Sequence, residues 1–490
     1  MRKLAPLDLW TIGILLIGIA LRLYVYSSEL WIDEIWSIMH VREGGSFWNI
    51  LNMHHDNNHY LYSMYLWLIG ERTSVLLIKL PALITGILLP FVMTWWARKQ
   101  SSTMGLLVAI FTSMAFTPVA VTELGRGYAP MLLFGFLAYT TMLSVHDAPK
   151  VRTAVLYGLL MTLALLSHLT AIHLLIALGI LSVYRFLTTD KTWHFFRHIC
   201  IANLFPIYTL ALLYFIDIRH MKIGGGFGMS GEETPILLLS SLFGLFELRI
   251  VSVLVAYSLL IFFTVYFEKL LRTDKRQCVC MVSILFIAPL AWLIICTPPI
   301  IYVRYFLICQ LFALLFLAHA LSYCKRTVSI VVAVLFCIGN IYALQDYLEH
   351  RYGNYMPSFE MISSNSSSEI PIISGNNEFI IPLLMYQYER DRGLDGSFVY
   401  VPQEEIQKRK PEWVLSYKAK YFEMPPTYIT PELLEGYELQ NADDPNIMWY
   451  VYRRIDGAVK GATKQELEDY VQKRNILLNT LAWYPYNAKR

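Results

Sequence analysis

Charge is what this sequence has least of. Only 16% of its 490 residues are Asp, Glu, Lys or Arg, while 56% are hydrophobic. A soluble globular chain carries about a quarter charged residues. The 40 Lys and Arg nearly balance 37 Asp and Glu, and no basic tract argues for nucleic acid. Cysteine is scarce and confined. Cys200, Cys278, Cys280, Cys296, Cys309, Cys324 and Cys337 all lie in or beside apolar runs, and none follows residue 350. The polar C-terminal part therefore does not depend on disulfides. Cys278-x-Cys280 lacks zinc-site spacing and reads as packing. The glycines of "KIGGGFGMSG" follow no strand, so the context of a phosphate-binding fingerprint is missing. No small-residue cleavage site follows the first apolar run, which reads as a retained span rather than a signal peptide.

Long apolar runs are what the chain has instead. Eleven apolar segments, of 16 to 24 residues, read as spanning helices, which need roughly 20. They are 6–26, 74–97, 103–122, 127–146, 153–168, 169–187, 195–217, 249–271, 278–297, 303–323 and 327–347. With the N-terminus inside, Arg2, Lys3 and the short loops "ARKQSS", "HDAPKVR", "RFLTTDKTWHFFRH", "EKLLRTDKRQ" and "CKR" carry about 15 Lys and Arg, against about 7 on the opposite side before the tail. That asymmetry sets the orientation, with an odd number of spans placing the tail outside. The reading is a multi-pass α-helical membrane protein with a small C-terminal α/β extracytoplasmic domain. Residues 1–347 form the membrane domain and 348–490 the outer one.

Two outer loops are long. Within 27–73, "SIMHVREGGSFWNILNMHH" and "HYLYSMYLWLIGE" are aromatic and amphipathic and suit short interfacial helices. The loop 218–248 has the glycines of a mobile flap. In the tail, "EFIIPLL", "SFVYVP", "EWVLSY" and "IMWYVYRRI" resemble strands separated by turn residues. "TKQELEDYVQKRNILLNTL" opens with a capping box, Thr463 to Glu466, and has helical periodicity.

The polar residues of interest all fall on the outer face. Asp33 and Glu34, between Trp31 and Trp36, follow span one. "HHDNNH" supplies His54, His55 and His59. Glu123, Arg126 and Tyr128 mark the junction of spans three and four. His168 lies at the turn between spans five and six, with His173 after it. Arg304 and Tyr305 open span ten after "TPPI". Each has a bland reading beside the functional one. The carboxylates cap a helix or do chemistry. The arginines snorkel to lipid phosphates or bind a substrate phosphate. His55 and His59, four apart, suit a metal on a helix, but Asn57-Asn58 favours a turn; hydrogen bonding or a plain loop is the preferred reading. His168 satisfies a buried hydrogen bond or contacts substrate. Lys79, inside span two, snorkels or faces a polar cavity.

A carboxylate base, arginines able to hold a phosphate bidentately and an apolar groove between spans fit one substrate class, a polyprenyl-phosphate-linked sugar. The arginines would stabilise the leaving phosphate and an Asp would take the acceptor's proton. In-line attack without a covalent intermediate inverts the anomeric centre.

"ALRLYVYSSELWIDEIWS" resembles the first span and outer loop of bacterial GT-C glycosyltransferases, in particular the protein-mannosyltransferase and aminoarabinose-transferase-like group (family-39-like). The matching elements are Arg22-Leu23, Trp31 and Asp33-Glu34. "ELGRGYAPMLLF" resembles the group's Glu-x-x-Arg-x-Tyr element, here Glu123, Arg126 and Tyr128. "PPIIYVRYFLICQLFALLFLA" resembles its late Arg-Tyr element. "NNHYLYSMYLWLIGERTSVLLIKLPALI" resembles its Pro-Pro-Leu-Tyr to Arg-Leu-Pro stretch, with Asn58-His59 and Lys79-Leu80-Pro81 departing from it. The likeness runs in order over about residues 15–325. It implies catalytic Asp33 with Glu34 beside it, and donor-phosphate contacts from Arg126 and Arg304. Tyr128 and Tyr305 would accompany them, with Glu123, His54, His55, His59, His168 and Lys79 in supporting or acceptor roles.

The expected function is an inverting glycosyltransferase acting on an envelope acceptor (glycan, lipid or protein) at the outer face of a bacterial inner membrane. No essential cofactor is expected; a divalent metal at His55 and His59 is the alternative. The competing classes are a transporter or flippase and an O-antigen ligase or polymerase. A transporter would show inverted repeats and broken helices at midplane, and neither is legible. A ligase would not need Asp33-Glu34 after span one.

Overall fold

The computed structural model describes residues 8–70, 73–188, 191–221, 234–244, 249–296, 301–350, 355–378, 380–394, 396–417, 429–441, 449–457 and 459–483. Among them, nine helices are long and apolar enough to cross a membrane. A tenth crossing is a bent pair, Ser102–Met114 and Phe116–Glu123. The 17-residue helix Val151–Ser167 occupies the place of the eleventh. The protein is a multi-pass membrane protein. Tyr128–Asp147 and Val303–Leu321 form the centre of the bundle, with 67% and 78% of their apolar windows buried, whereas only 17% of Trp193–His220 is covered. Apolar side chains such as Leu204, Tyr208 and Phe215 therefore face outward, as suits helices whose solvent is lipid.

The third span is not the straight rod that residues 103–122 imply. It bends by 47° at Ala115. Pro118 explains the bend, because it has no N–H for the carbonyl four residues earlier and its ring crowds that turn. Both sides of the break are repaired from elsewhere. Phe116 N donates to Asn340 Oδ1 at 2.7 Å. Arg22, fully buried in span one, donates to the carbonyls of Thr112 at 2.8 Å and Ser113 at 3.2 Å. A π-turn at Ser283–Ile287 precedes Pro289 in the ninth crossing, for the same reason of a missing donor.

Outside the bundle, the first outer loop folds into helices Ile32–Gly44, Phe47–Ile50 and Tyr60–Ile69. The first begins upstream of the amphipathic stretch that opens at Ser37, so Asp33 and Glu34 lie in its first turn rather than at the exit of span one. The second outer loop contains a helix, Thr234–Ser240. Its glycine-rich segment, like "TPPI", lies outside the described residues.

The tail is α/β. Five strands, β1 (Ile372–Gly375), β2 (Val399–Val401), β3 (Trp413–Tyr417), β4 (Tyr437–Leu439) and β5 (Trp449–Arg454), form a sheet in the order β2-β1-β3-β5-β4. β1 is parallel to β2 and β3, and β5 is antiparallel to β3 and β4. "EFIIPLL" is not a strand. It opens the helix Ile380–Asp391, whose Ile381, Leu384, Met385 and Tyr388 recur at helical spacing, and the Asn377 side chain accepts from Ile380 N at 2.9 Å. The Thr463–Glu466 capping box forms as read, with Thr463 N donating to Glu466 Oε2 at 2.8 Å.

The tail docks on the first outer loop. Ile35, Ile38, Met39 and Leu66 share one apolar cluster with Phe359, Ile381, Leu384 and Tyr388. The Glu29 carboxylate accepts from Tyr355 N at 2.8 Å and Met356 N at 3.1 Å, where the helix Met356–Asn365 begins. An anion at a helix N-terminus is favourable there.

Arg22→Met leaves the Thr112 and Ser113 carbonyls at the bend without their donor. We expect a loss of about 1–3 kcal/mol, read as a lower thermal-unfolding midpoint in detergent. An unchanged midpoint would show that the bend does not rely on Arg22.

Candidate active site

Adjacent helix residues point about 100° apart, and Asp33 and Glu34 accordingly face different surroundings. Glu34 turns inward and is 0% exposed. One carboxylate oxygen accepts from Trp31 N at 2.6 Å, and the other accepts from Gly125 N in the turn after span three. Burial raises the Glu34 carboxyl above its ordinary value; Lys79 and the two N–H donors oppose the rise, and buried Glu123 adds to it. Lys79 does not snorkel. It is fully buried, and its Nζ donates to Ser28 Oγ at 2.7 Å and to the carbonyls of Ser28 at 3.0 Å and Glu29 at 2.6 Å.

Asp33 turns the other way. Its side chain is 32% exposed, and Arg126 Nη1 donates to Oδ2 at 2.6 Å. Burial alone would raise this carboxyl, but Arg126, Arg304 and His55 outweigh it, and Asp33 lies below the usual carboxylate range. Arg126 is itself held on several sides. Its second amino group donates to Asn57 Oδ1, and its guanidinium lies 5.2 Å from the centre of the Tyr128 ring. Asn57 Nδ2 in turn donates to the Asp33 carbonyl at 2.7 Å and to Ser37 Oγ at 3.0 Å. The glycines flanking Arg126 are there for space. A Cβ on Gly125 would meet Tyr62 Oη at 2.5 Å and Glu34 Oε1 at 2.6 Å, and one on Gly127 would strike the Ser167 carbonyl.

Arg304, in the turn Val303–Phe306, lies 4.3 Å from the Tyr302 ring centre and within the electrostatic reach of Asp33, Tyr128 and Tyr305. Arg126 Nε and Arg304 Nε are buried donors without a hydrogen-bond partner among the described residues. Two such guanidinium groups beside one carboxylate suit an anionic ligand better than an empty core.

The histidines divide. "HHDNNH" forms a turn, not a helix, with His54 at φ +54°. His55 and His59 therefore do not share a helical face. His55 packs 4.7 Å from His40, while His59 stacks 4.7 Å from His168 and 5.5 Å from Tyr128. Among the described residues no group of three His, Cys, Asp or Glu is placed to hold a metal. Burial, reinforced by Arg126 and His168, pushes His59 well below its ordinary value, so it is neutral. His168 Nδ1 meets Thr170 Oγ1 at 2.8 Å, next to Tyr128. His54 is drawn away from this group. Its N donates to Asp217 Oδ1 at 2.5 Å, and its Nδ1 lies 3.0 Å from the same oxygen.

Asp217 is the residue that sequence reasoning passed over. Asp217 is fully buried and also accepts from Tyr60 Oη at 2.6 Å. A lone acid at the end of the apolar run "LALLYFID" is a legible signal, because such residues are costly near lipid. Asn57 was visible within the polar "HHDNNH" cluster, read as hydrogen bonding or a turn and given no site role of its own.

No family model matches the sequence, and no curated protein matches it. The architecture has solved counterparts. ArnT from Cupriavidus metallidurans, solved with undecaprenyl phosphate, aligns over 92% of this chain and 99% of its own, with a TM-score of 0.51 and 11% identity. The chain has the GT-C fold. The archaeal oligosaccharyltransferase AglB from Archaeoglobus fulgidus, solved with an inhibitory peptide and a dolichol-phosphate, covers 84% of this chain and 69% of its own, at a TM-score of 0.40 and 11% identity. On this bundle the turn carrying Arg126 contacts the helix Ile32–Gly44 at Asp33, and Arg304 acts on the same carboxylate electrostatically.

The different settings of the carboxylates separate their roles experimentally. Glu34→Gln turns an amide N–H toward one of two backbone donors and should cost about 1–3 kcal/mol of stability. Asp33→Asn keeps an acceptor for Arg126 and should stay within about 1 kcal/mol of wild type. Thermal midpoints of the two purified variants decide this, and equal losses would refute the division.

Proposed function

We propose that the protein is an inverting glycosyltransferase that moves a sugar from a polyprenyl-phosphate donor to an envelope acceptor. The observation that carries the proposal is the Asp33–Arg126 contact at 2.6 Å with Arg304 in the same field, set on a GT-C fold whose counterpart ArnT was solved with undecaprenyl phosphate. The positive-inside pattern supports an outer-face site in a bacterial inner membrane with the N-terminus cytoplasmic.

The donor phosphate is read as sitting at Arg126 and Arg304, taking their spare Nε donors. The acceptor oxygen attacks the anomeric carbon from the face opposite the phosphate. As that bond forms, the bond from carbon to phosphate oxygen breaks, and its electron pair leaves with the phosphate. Asp33 takes the acceptor proton, and the guanidinium groups balance the charge gathering on the leaving group. Glu34 acts through structure, holding the helix that presents Asp33. His59, His168 and Tyr128 wall the arginines off from water, and Tyr305 flanks Arg304. Glu123, Lys79, His54 and His55 support the surrounding fold.

The test is a transfer assay with purified protein and a panel of polyprenyl-phosphate sugars. Asp33→Asn should lower turnover by about 10²–10⁴-fold with donor binding retained. Arg304→Ala should weaken donor binding. Near-wild-type turnover in Asp33→Asn would remove the base assignment. Transbilayer movement of a lipid-linked glycan without donor consumption would replace the enzyme reading with a transporter.

The electrostatics also set a pH dependence. Asp33 must be ionised to accept a proton, and its pKa is lowered by Arg126 and Arg304. The acid limb of kcat/KM in wild type should therefore lie below the ordinary carboxylate range. Arg126→Gln removes the strongest lowering charge, so burial meets less opposition and the residual activity should lose its acid side at higher pH. An unmoved limb would mean that another group titrates.

A further inference from the structure

The helix Ile32–Gly44 has a second functional face. Asp33, Ser37 and His40 lie on one side, whereas Ile38 and Arg42 fall nearly opposite at helical spacing. That opposite side lines a cavity of about 240 Å³ with Leu66 and Trp67 of the neighbouring outer helix, Ile78 at the top of span two, and Arg390 from the tail. Its walls are apolar and its charged groups are two arginines. Gln387 and Asp391 orient Arg390, with Nε at 3.2 Å from Gln387 Oε1 and an amino group at 3.2 Å from Asp391 Oδ1. Arg42 donates to Tyr386 Oη at 2.6 Å and has no carboxylate partner among the described residues. Arg390 is thus paired with Asp391, whereas the charge of Arg42 meets only a hydroxyl among the described residues.

Its position points to the membrane surface. Trp67 carries an aromatic group at the lip, with Phe47 5.7 Å from Trp67 and 5.8 Å from Trp48. Trp48 is 74% exposed and Trp67 39%. Tryptophans with an open face are characteristic of the headgroup level. Leu68, next to Trp67, and Leu76 and Leu77 in the first turn of span two, next to Ile78, are exposed and offer apolar surface close in sequence to the pocket residues.

We propose that this pocket binds the phosphate headgroup of an acidic membrane phospholipid, with its acyl chains along Leu68, Leu76 and Leu77. The lipid is bound, not transformed. Its phosphate would bridge Arg42 of the first outer loop and Arg390 of the tail, fastening the tail to the membrane domain. The site does not depend on the sugar-transfer reading, since it shares no residue with the Asp33 face.

The test uses full-length protein equilibrated in detergent with equal amounts of phosphatidylglycerol and phosphatidylcholine, followed by measurement of the lipid that stays bound. Wild type should retain phosphatidylglycerol about tenfold over phosphatidylcholine. Arg42→Gln/Arg390→Gln should bring the preference close to unity. Trp67→Ala, which keeps both charges, should reduce the total retained. Arg304→Ala should keep the preference, which separates this pocket from the donor site. Equal retention of the two lipids by wild type would overturn the proposal, even if the double variant failed to fold. So would a preference that persists in the double variant or disappears in Arg304→Ala. Displacement of phosphatidylglycerol by millimolar inorganic phosphate would also overturn it, reducing the pocket to a free-anion site.

Discussion

Glu34 accepts hydrogen bonds from Trp31 N, three residues before it, and from Gly125 N, 91 residues after it. The first bond closes the opening turn of the outer helix. The second ties that turn to the loop between the third and fourth crossings, whose next residue is Arg126. Asp33 reaches Arg126 because Glu34 reaches Gly125. Taking a carboxylate out of water costs several kcal/mol, and the site bears that cost with two charge-assisted N–H bonds and a lysine nearby. A glycine at 125 is the other half of the arrangement, since any side chain there would occupy the space of the carboxylate.

The same device recurs outward from Glu34. Lys79, whose charge opposes the rise in the Glu34 carboxyl, uses its three donors on Ser28 and Glu29, fixing the chain as it leaves span one. Glu29 then receives the first backbone amides of the tail helix at Tyr355 and Met356. Arg22 closes the bend of the third crossing from below. Each is a buried or half-buried charge that satisfies backbone groups. In a bundle with little hydrophobic driving force between helices, such contacts supply direction. They fix which loop meets which, and so they set the register of the site.

Much of this architecture was legible because lipid imposes simple rules. Apolar length gave the crossings, and charge asymmetry gave their expected orientation. Asp33, Arg126 and Arg304 could be nominated together because ionised residues near a membrane need a reason. The misreadings have physical causes as well. "EFIIPLL" is apolar over only a few residues, where helix and strand periodicity cannot be told apart; the continuation "MYQYERD" and the Asn377 cap decide for helix. The bend at Ala115 required recognising that Pro118 sits where a straight span needs a donor. The resemblance favoured Asp33 over Glu34, but the residues alone did not separate them, because adjacent residues look equivalent in a string and diverge only on a helix. Lys79 was ambiguous because its partners are carbonyls, which every residue carries. Asp217 is conspicuous as a lone acid ending an apolar run, but its partners His54 and Tyr60 lie 163 and 157 residues away, beyond any local pattern.

The resting site raises a chemical difficulty whose resolution lies in the same ion pair. A carboxylate held below its ordinary range by two arginines is a weak base, so Asp33 as it stands would be a poor proton acceptor. On the proposed reading, the donor changes that. Its phosphate competes with Asp33 for Arg126 and Arg304 and takes up their charge. The desolvation of Asp33 then acts with less opposition, and its affinity for a proton rises. The carboxylate becomes basic when the leaving group is in place and remains quiet when it is not. Asn57 is suited to keep Arg126 from following the phosphate out of position, because it holds both the guanidinium and the backbone of Asp33. The Asp33–Arg126 contact is then both the resting state of the site and the means by which donor binding prepares the base.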